Sequence, residues 1–365
     1  MQLPFNTAPV TRLRSTSRLA AALSVLVPVG VMAMAGACSD ANPGGGSPEA
    51  GAAIPTGTAT PTSSSPSPDV PGAPDAQVSD VQVPSDGGVS GVETYATTVA
   101  GSQDPADIYF VRRGSPLPVV VLAQGAKVDK TNYSNVARKV ASYGFIVIVP
   151  NHRRMVGVDT NFYPEAPSVL AAFAHVVAES KGTSAPIRGL ADGTKLALLG
   201  HSFGGALGIG MVGGSCSFPF CPLFGYTYVL PPELKAGIFF GASLKPPVGD
   251  IPATANAGRG IALIQGSLDT KNVAADARAT YDKIASPPRA FIQLTGSNHY
   301  GITNSDNPSG ADADSARPTL AQATANDEVG RWAGVFLRAT VLGDAAAKSE
   351  LQAGGGPGTV VTAAF

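Results

Sequence analysis

Residues 198–205 read LLGHSFGG, in which a single serine, Ser202, stands among three glycines directly after an apolar run. Gly200, Ser202 and Gly204 satisfy the pattern G-x-S-x-G, and the preceding KLALLG has the length and composition of a buried strand. A nucleophilic serine on a tight strand-to-helix turn needs a strained backbone, and neighbouring chain can approach it only where side chains are absent. In a chain with 43 glycines the pattern can arise by chance, and a structural turn serine is the alternative. The predicted strand before Ser202 and the predicted helix after it favour a nucleophilic serine.

The surrounding text alternates between apolar runs of strand length and segments with helical spacing. Predicted strands are LPVVVLAQG, FIVIVP, KLALLG, KAGIFFGAS, GIALIQG and AFIQLTG, and predicted helices are NYSNVARKVASYG, SVLAAFAHVVAES, the segment from Phe203, VAADARATYDKI and DEVGRWAGVFLRATVL. Apolar runs without alternation indicate strands covered on both faces. Ahead of them, VETYATTVA and ADIYFVRR flank the turn text GSQDP and predict a hairpin. We therefore expect an α/β fold with a doubly wound, mostly parallel sheet and an antiparallel N-terminal hairpin.

The first 90 residues differ in composition from the rest. Three arginines precede the apolar run LAAALSVLVPVGVMAMA, which ends in small residues at Cys38 and predicts an export signal over residues 1–37. The pattern AGAC resembles a bacterial lipoprotein signal, which implies lipidation of Cys38, but Ala35 replaces the usual leucine and leaves ordinary secretion open. Residues 38–90 are rich in Gly, Pro, Ser and Thr and predict a disordered tether. A catalytic domain at 91–345 and a C-terminal tail at 346–365 complete the expected organisation, exported and anchored by lipid to a bacterial membrane.

Charge and motif spacing limit the partners. The formal net charge is -1 and 14% of the residues are charged, so no electrostatic footprint for nucleic acid is present. The glycines Gly208, Gly210 and Gly213 imitate a dinucleotide fingerprint but fall inside a predicted helix, where close packing explains them better. No His or Cys pairs have metal-ligand spacing. We expect a monomer without metal or cofactor, whose membrane contact is confined to the lipid anchor.

A serine hydroxyl becomes a good nucleophile only with a base beside it, and the base needs an orienting acid. His299 lies in GSNHYGIT, just past the predicted strand AFIQLTG, at the strand end where α/β sites assemble. Of the other histidines, His152 follows a strand and His175 lies within a helix. His201 adjoins the serine and would point away from it. His299 is therefore the predicted base.

The acid should lie between serine and histidine in sequence, again at a strand end. Asp269 in IALIQGSLDT meets both conditions, whereas Asp276 and Asp282 fall on the following helix, where charges are usually solvated. The predicted triad is Ser202, Asp269 and His299.

Four motifs between about residues 91 and 342 carry a resemblance to a known family: GHSFGGA, VARKVASYGFIVIVPNHR, IQGSLDT and GSNHYGIT. The chain resembles the α/β-hydrolases grouped around dienelactone hydrolases, platelet-activating-factor acetylhydrolases, chlorophyllases and bacterial polyester hydrolases. This resemblance implies a carboxylic ester hydrolase that acts through an acyl-enzyme on a small-molecule or polymeric ester. Two alternatives stay open: an amide or peptide hydrolase with the same triad, and a non-catalytic surface lipoprotein that uses the fold for binding.

The resemblance also implies an oxyanion hole made by the backbone N–H groups of Phe203 and Ala126. Here the chain departs from its relatives, because Gln124-Gly125-Ala126 stands where many carry His-Gly or Pro-Gly followed by a bulky residue. Since the donors are backbone amides, the changed side chains do not by themselves abolish the predicted hole.

An insertion rich in Gly, Pro and aromatic residues follows the nucleophile helix. Cys216 and Cys221, in CSFPFC, are close together in an exported chain and predict a local disulfide rather than a metal or redox site. The aromatic residues predict either an apolar rim for the substrate or a loop that buries its own side chains: Phe218, Phe220, Phe224 and Tyr226.

Overall fold

The structure, a computed structural model, describes residues 90–114 and 116–365. The predicted export signal at 1–37, the lipidation site Cys38 and all but the last residue of the predicted tether lie outside the described residues and stay predictions. Within those two described ranges, no helix has both the length and the apolar character that crossing a bilayer requires.

Most strands of the described chain join one large mixed sheet. The strands are β1 (Glu93–Thr98), β2 (Pro105–Phe110), β3 (Leu117–Ala123), β4 (Ile146–Pro150), β5 (Arg153–Val156), β6 (Asp159–Phe162), β7 (Ala191–His201), β8 (Leu234–Phe240), β9 (Gly260–Gly266), β10 (Arg289–Leu294), β11 (Gly355–Gly356) and β12 (Thr359–Ala364). The sheet order is β1-β2-β4-β3-β7-β8-β9-β10-β12-β11, and β5 and β6 form a separate hairpin. Strands β4, β3, β7, β8, β9 and β10 run parallel, and the N-terminal hairpin β1-β2 is antiparallel.

Helices cover both faces of this sheet. They are α1 (Ser134–Ser142), α2 (Ala166–Lys181), α3 (Ser202–Val212), α4 (Ala274–Asp282), α5 (Gln322–Leu337) and α6 (Ala345–Gln352), with a 3₁₀ turn at Lys130–Tyr133 and a π-helical turn at Arg338–Leu342. Successive side chains of β3 alternate between two cores: Val120 packs with α1 and α5, and Val121 packs with α2 and α3. Such a doubly covered, mostly parallel sheet is the α/β-hydrolase fold, and the predicted fold class is confirmed.

The predicted domain boundary at residue 345 needs correction. Helix α6 begins at Ala345, and β12 pairs antiparallel with β10, so residues 346–365 belong to the domain rather than forming a tail. Strand β12 reads TVVTAA, lies between β10 and the two-residue edge strand β11, and buries Thr359 and Val361 while it exposes Val360 and Thr362. Its apolar residues are interrupted by Thr362 and follow a glycine-rich stretch, which is why the sequence did not indicate a strand. The hairpin β5-β6 was also not predicted.

Candidate active site

Ser202 lies on the sharp turn between β7 and α3. Its backbone has a φ of +52°, in the left-handed region that residues with a side chain rarely adopt. A Cβ on Gly204 would overlap the main-chain carbonyl of Ala123 in the neighbouring strand β3, and one on Gly200 would come 2.6 Å from the carbonyl oxygen of Gly204. Because the chain is this close on both sides of the serine, the G-x-S-x-G glycines are required by space.

The three predicted triad residues meet at the carboxyl edge of the sheet. The Oγ of Ser202 lies 2.9 Å from Nε2 of His299, and Nδ1 of His299 lies 2.9 Å from Oδ2 of Asp269. Asp269 follows β9 and His299 follows β10, so their loops meet the end of β7 at one edge. Both side chains are buried, which shields their interaction from water. The structure thus brings together residues that are 97 and 30 positions apart in sequence.

Several N–H groups orient the carboxylate of Asp269. The backbone N–H groups of Lys271 and Asn272 donate to Oδ1 at 2.9 and 2.8 Å, and the Gln265 amide donates to Oδ2 at 3.1 Å. Since a carboxylate oxygen accepts, the ring nitrogen of His299 that faces Asp269 must carry the proton. The other nitrogen, Nε2, is then free to accept the hydroxyl proton of Ser202.

A second buried carboxylate, that of Asp314, supports the same two loops. Its oxygens accept from the backbone N–H of His299 at 2.9 Å, from the N–H and hydroxyl of Thr270 beside Asp269, and from Ala316 N–H at 3.0 Å. Burial alone would raise the pKa of Asp314, but the hydrogen bonds from Thr270, Ala316 and His299 outweigh it and hold the pKa below its usual value. Sequence reasoning missed this residue because it lies in a loop whose sequence has no periodic pattern.

The predicted oxyanion donors lie beside the serine. Ala126 lines the cavity at Ser202 together with Lys271, His299, Tyr300 and Asp312. Within the part of the chain that the structure describes, the N–H of Ala126 meets no hydrogen-bond acceptor, whereas the preceding N–H, of Gly125, donates to the Tyr133 hydroxyl at 2.8 Å. Phe203 is the second residue of α3, and the first four N–H groups of a helix have no partner within it. Both backbone donors are therefore available to a bound oxyanion.

The insertion between α3 and β8 occupies residues 213–233 and contains no helix or strand. Cys216 and Cys221 form the predicted disulfide. The ring centroid of Phe220 lies 4.8 Å from that of Phe203. The ring of Tyr163, which directly follows β6, has its centroid 5.5 Å from that of Phe203. Phe203 is thus contacted by two aromatic rings, one of which, Tyr163, the sequence did not indicate.

The other predicted rim residues lie elsewhere. Phe218 and Phe224 are exposed to solvent, and Tyr226 packs partly against the core cluster on the α2 and α3 side. Of the four predicted rim residues, Phe220 alone has a ring contact with Phe203. Phe220 and Tyr226 both pack partly against that core cluster, as in a loop that buries its own aromatic side chains, and the substrate rim stays a prediction.

The remaining histidines have other partners. His175 lies 3.0 Å from the Thr97 hydroxyl and accepts from the Ala100 N–H at 3.3 Å, which is a structural role. His152 lies 2.8 Å from Asp104 and 3.4 Å from Glu165. Burial opposes its charged form, but the two carboxylates outweigh burial and raise the pKa of His152 to about 9.

A comparison with known protein families indicates which class of protein this site belongs to. The Chlorophyllase family's model matches residues 92–227, a range that holds Ser202, Ala126 and Phe203 and ends before Asp269 and His299. The resemblance to the α/β-hydrolase group that includes the chlorophyllases is confirmed, and the match supports a hydrolase of the α/β type. No curated protein matches the chain. Among the described residues, no group of three or more His, Cys, Asp or Glu side chains is placed to hold a metal ion.

Proposed function

We propose that this protein is a serine hydrolase that cleaves carboxylic esters through an acyl-enzyme intermediate. The observation that carries the proposal is the hydrogen-bonded series from Ser202 Oγ through His299 to Asp269, at the turn where the serine has a left-handed backbone. A binding protein has no need for a nucleophile, a base and an orienting carboxylate in line at three separate strand ends.

In the first half of the reaction, Ser202 Oγ bonds to the ester carbonyl carbon and its proton passes to Nε2 of His299. The carbonyl oxygen becomes an oxyanion, which the N–H groups of Ala126 and Phe203 stabilise. The carbon–oxygen bond to the alcohol then breaks, and the alcohol leaves with the proton from the imidazolium. Asp269 keeps the proton on Nδ1 and stabilises the imidazolium while it is charged.

In the second half, a water molecule takes the place of the alcohol. Its oxygen bonds to the acyl carbon, its proton passes to Nε2 of His299, and the same two amides hold the new oxyanion. The bond to Ser202 Oγ breaks, Oγ regains a proton from His299, and the carboxylic acid leaves. Every group returns to its starting state, and the reaction consumes one water for each ester.

Changing the nucleophile and the acid tests this assignment. Ser202→Ala should reduce turnover of a p-nitrophenyl acetate substrate by about four to six orders of magnitude while the protein stays folded. Asp269→Asn should cost about four orders of magnitude, because the amide favours the wrong imidazole tautomer. Asp276→Asn, a change of the same kind on α4, is the matched control and should keep the wild-type rate. Retained activity in Ser202→Ala, or loss in the control instead of Asp269→Asn, would overturn the assignment.

Labelling with a fluorophosphonate separates the enzyme from a binding protein with the same fold. The wild-type protein should be modified once, at Ser202, and Ser202→Ala should not react. Comparing p-nitrophenyl esters with the matching p-nitroanilides addresses the amide alternative, since an ester hydrolase should hydrolyse only the former at a useful rate.

We also propose that the protein is exported and held to a bacterial membrane by lipid on Cys38, with residues 38–90 as a tether. The support is the arginine-led apolar run that ends at AGAC and the polar text after it. In a bacterial host, Cys38→Ser should move the protein from the membrane fraction to the soluble fraction. Equal solubility of both forms would contradict the lipid anchor and favour ordinary secretion.

A further inference from the structure

A buried series of hydrogen bonds joins the oxyanion loop to the main chain of His299 behind the nucleophile. The N–H of Gly125 donates to the Tyr133 hydroxyl at 2.8 Å, and that hydroxyl lies 2.9 Å from Nδ1 of His201. On the other side of the same ring, Nε2 of His201 lies 2.9 Å from the carbonyl oxygen of His299. Tyr133 and His201 are fully buried, so neither side chain can exchange these partners for bulk water.

Only one placement of protons satisfies the whole series. The carbonyl of His299 is an acceptor, so Nε2 of His201 must carry a proton and donate. The N–H of Gly125 is a donor, so the Tyr133 oxygen accepts from it and gives its own proton to Nδ1 of His201. This arrangement requires a neutral His201. Burial, together with the nearby His299, lowers the pKa of His201 well below its usual range, in agreement with that requirement.

We propose that Tyr133 and His201 are positioning residues that couple the oxyanion loop to the catalytic histidine. The inference rests on the proposed ester hydrolysis and deepens it. Because Tyr133 engages the N–H of Gly125, the next N–H, of Ala126, is the one left for the oxyanion. Because His201 holds the carbonyl of His299, it fixes the main chain from which the imidazole reaches Ser202. His201, the first x of G-x-S-x-G, thus acts on both the oxyanion loop and the catalytic histidine without contacting substrate.

Packing makes the coupling tight. A Cβ on Gly125 would come 2.6 Å from Nδ1 of His201, so the oxyanion loop lies directly against the ring. The ring of His201 is 4.9 Å from that of His299, centroid to centroid. An imidazole offers a donor and an acceptor on opposite sides of one flat ring, which is the combination that this narrow space requires.

Tyr133→Phe is the sharpest test, since it removes one oxygen and keeps the ring. It leaves the N–H of Gly125 and Nδ1 of His201 without partners, and the loop can then turn the wrong amide toward the oxyanion. We expect kcat on a short p-nitrophenyl ester to fall by about 10- to 100-fold, with KM changed by less than about threefold, because small misplacement of reacting groups lowers the rate rather than the affinity. The rate of fluorophosphonate labelling at Ser202 should fall by a similar factor.

Tyr143→Phe is the matched control. Tyr143 is also buried, lies in the same core cluster and follows α1, on the side where it packs against α5. Its loss of a hydroxyl should leave kcat within about twofold of the wild-type value. This control separates the coupling through Tyr133 and His201, which we call the relay, from a general effect on the core.

His201 provides the second pair of variants. In His201→Gln the side-chain amide nitrogen can take the place of Nε2 and donate to the carbonyl of His299, whereas His201→Phe offers no donor. We expect Gln to retain at least about tenfold more kcat than Phe. In wild-type protein, ¹⁵N NMR should find His201 neutral, protonated on Nε2 and unchanged between pH 5 and 8.

The outcomes separate this inference from the proposed function. If Ser202→Ala is inactive but Tyr133→Phe has a normal kcat, or changes KM alone, the relay is wrong and ester hydrolysis stands. If Ser202→Ala keeps its activity, the proposed function itself fails. Should Tyr133→Phe be too unstable to assay, the His201 pair decides, and equal losses in Gln and Phe, or titration of His201 in the NMR experiment, would overturn the relay.

Discussion

The carboxyl edge of the sheet and the insertion at residues 213–233 differ in how far their candidate functional side chains are exposed to solvent. At the sheet edge, Asp269 and His299 are 5% and 1% exposed and their polar atoms meet nearby partners. In the insertion, Phe218 and Phe224 are 52% and 85% exposed. The first region is held by main-chain packing and buried hydrogen bonds, so its geometry follows from the fold itself.

The insertion packs some of its side chains on the α2 and α3 side of the core, where Cys221 is buried, and it also makes hydrogen bonds to the domain. Its disulfide closes the short loop from Cys216 to Cys221, the carbonyl of Phe220 accepts from the Ala166 N–H at 2.9 Å, and the guanidinium of Arg154 donates to the carbonyl of Pro219. The exposed aromatic side chains, Phe218 and Phe224, mark the part of the insertion that can change without disturbing the core. From this difference we expect the sheet edge to set the rate and the insertion to set the selectivity.

The same substitution should have very different effects in the two regions. Gly204→Ala places a methyl group against the carbonyl of Ala123, in main chain that cannot give way, and should cost about 3 kcal/mol or more of stability and nearly all activity. Gly225, in the insertion, has a φ of +72° but open space around it, so Gly225→Ala should cost about 1 kcal/mol. Urea denaturation and turnover of a short acetyl ester measure both effects. Similar losses in the two variants would show that the insertion is part of the rigid site.

Removing the disulfide should affect selectivity more than stability. A loop this short contributes about 2 kcal/mol at most by chain entropy, so the Cys216→Ser, Cys221→Ser double variant should stay folded. Its loop carries Phe220, whose ring contacts Phe203 beside the nucleophile. We expect unchanged turnover of an acetyl ester and a loss of about 1 to 3 kcal/mol of transition-state binding on long or aromatic esters, the scale of lost apolar contacts.

A panel of p-nitrophenyl esters of increasing chain length measures this effect. Tyr228→Phe is a useful companion, since its hydroxyl donates to the carbonyl of Met211 at the base of the insertion and not at the disulfide loop. Equal losses on short and long esters would show that the loop supports the fold and does not contact the substrate.

The candidate site residues at the sheet edge could be predicted from sequence because each of them stands next to a recognisable local pattern. Ser202 is marked by the glycines that its turn requires, and Asp269 and His299 each follow a continuous apolar strand, so topology alone brings them to one edge. The parallel strands were predicted for the same reason, since burial on both faces leaves an uninterrupted apolar run.

The missed features lack such local signals. Tyr163 and Asp314 reach the site from loops, and nothing in their neighbouring residues distinguishes them from surface side chains. Strand β12 alternates buried and exposed positions after a glycine-rich stretch, so no continuous apolar run marks it. The role of His201 was also missed, because its two hydrogen bonds join residues 68 and 98 positions away.

The smallest expected effect concerns the charged cluster beneath the insertion, where His152 lies between Asp104 and Glu165, and Arg154 reaches from Glu165 toward Pro219. In the folded protein the pKa of His152 is raised to about 9, whereas an unfolded histidine has a pKa of about 6.5. A raised pKa means that the stabilisation is complete below pH 6.5 and is lost as the pH rises through 9. Because the cluster is partly solvated, we expect a loss of about 1 kcal/mol over that range. Urea denaturation at pH 6.5 and pH 9 should show a smaller decrease for His152→Gln than for wild-type protein. Equal decreases would mean that the cluster contributes no pH-dependent stability.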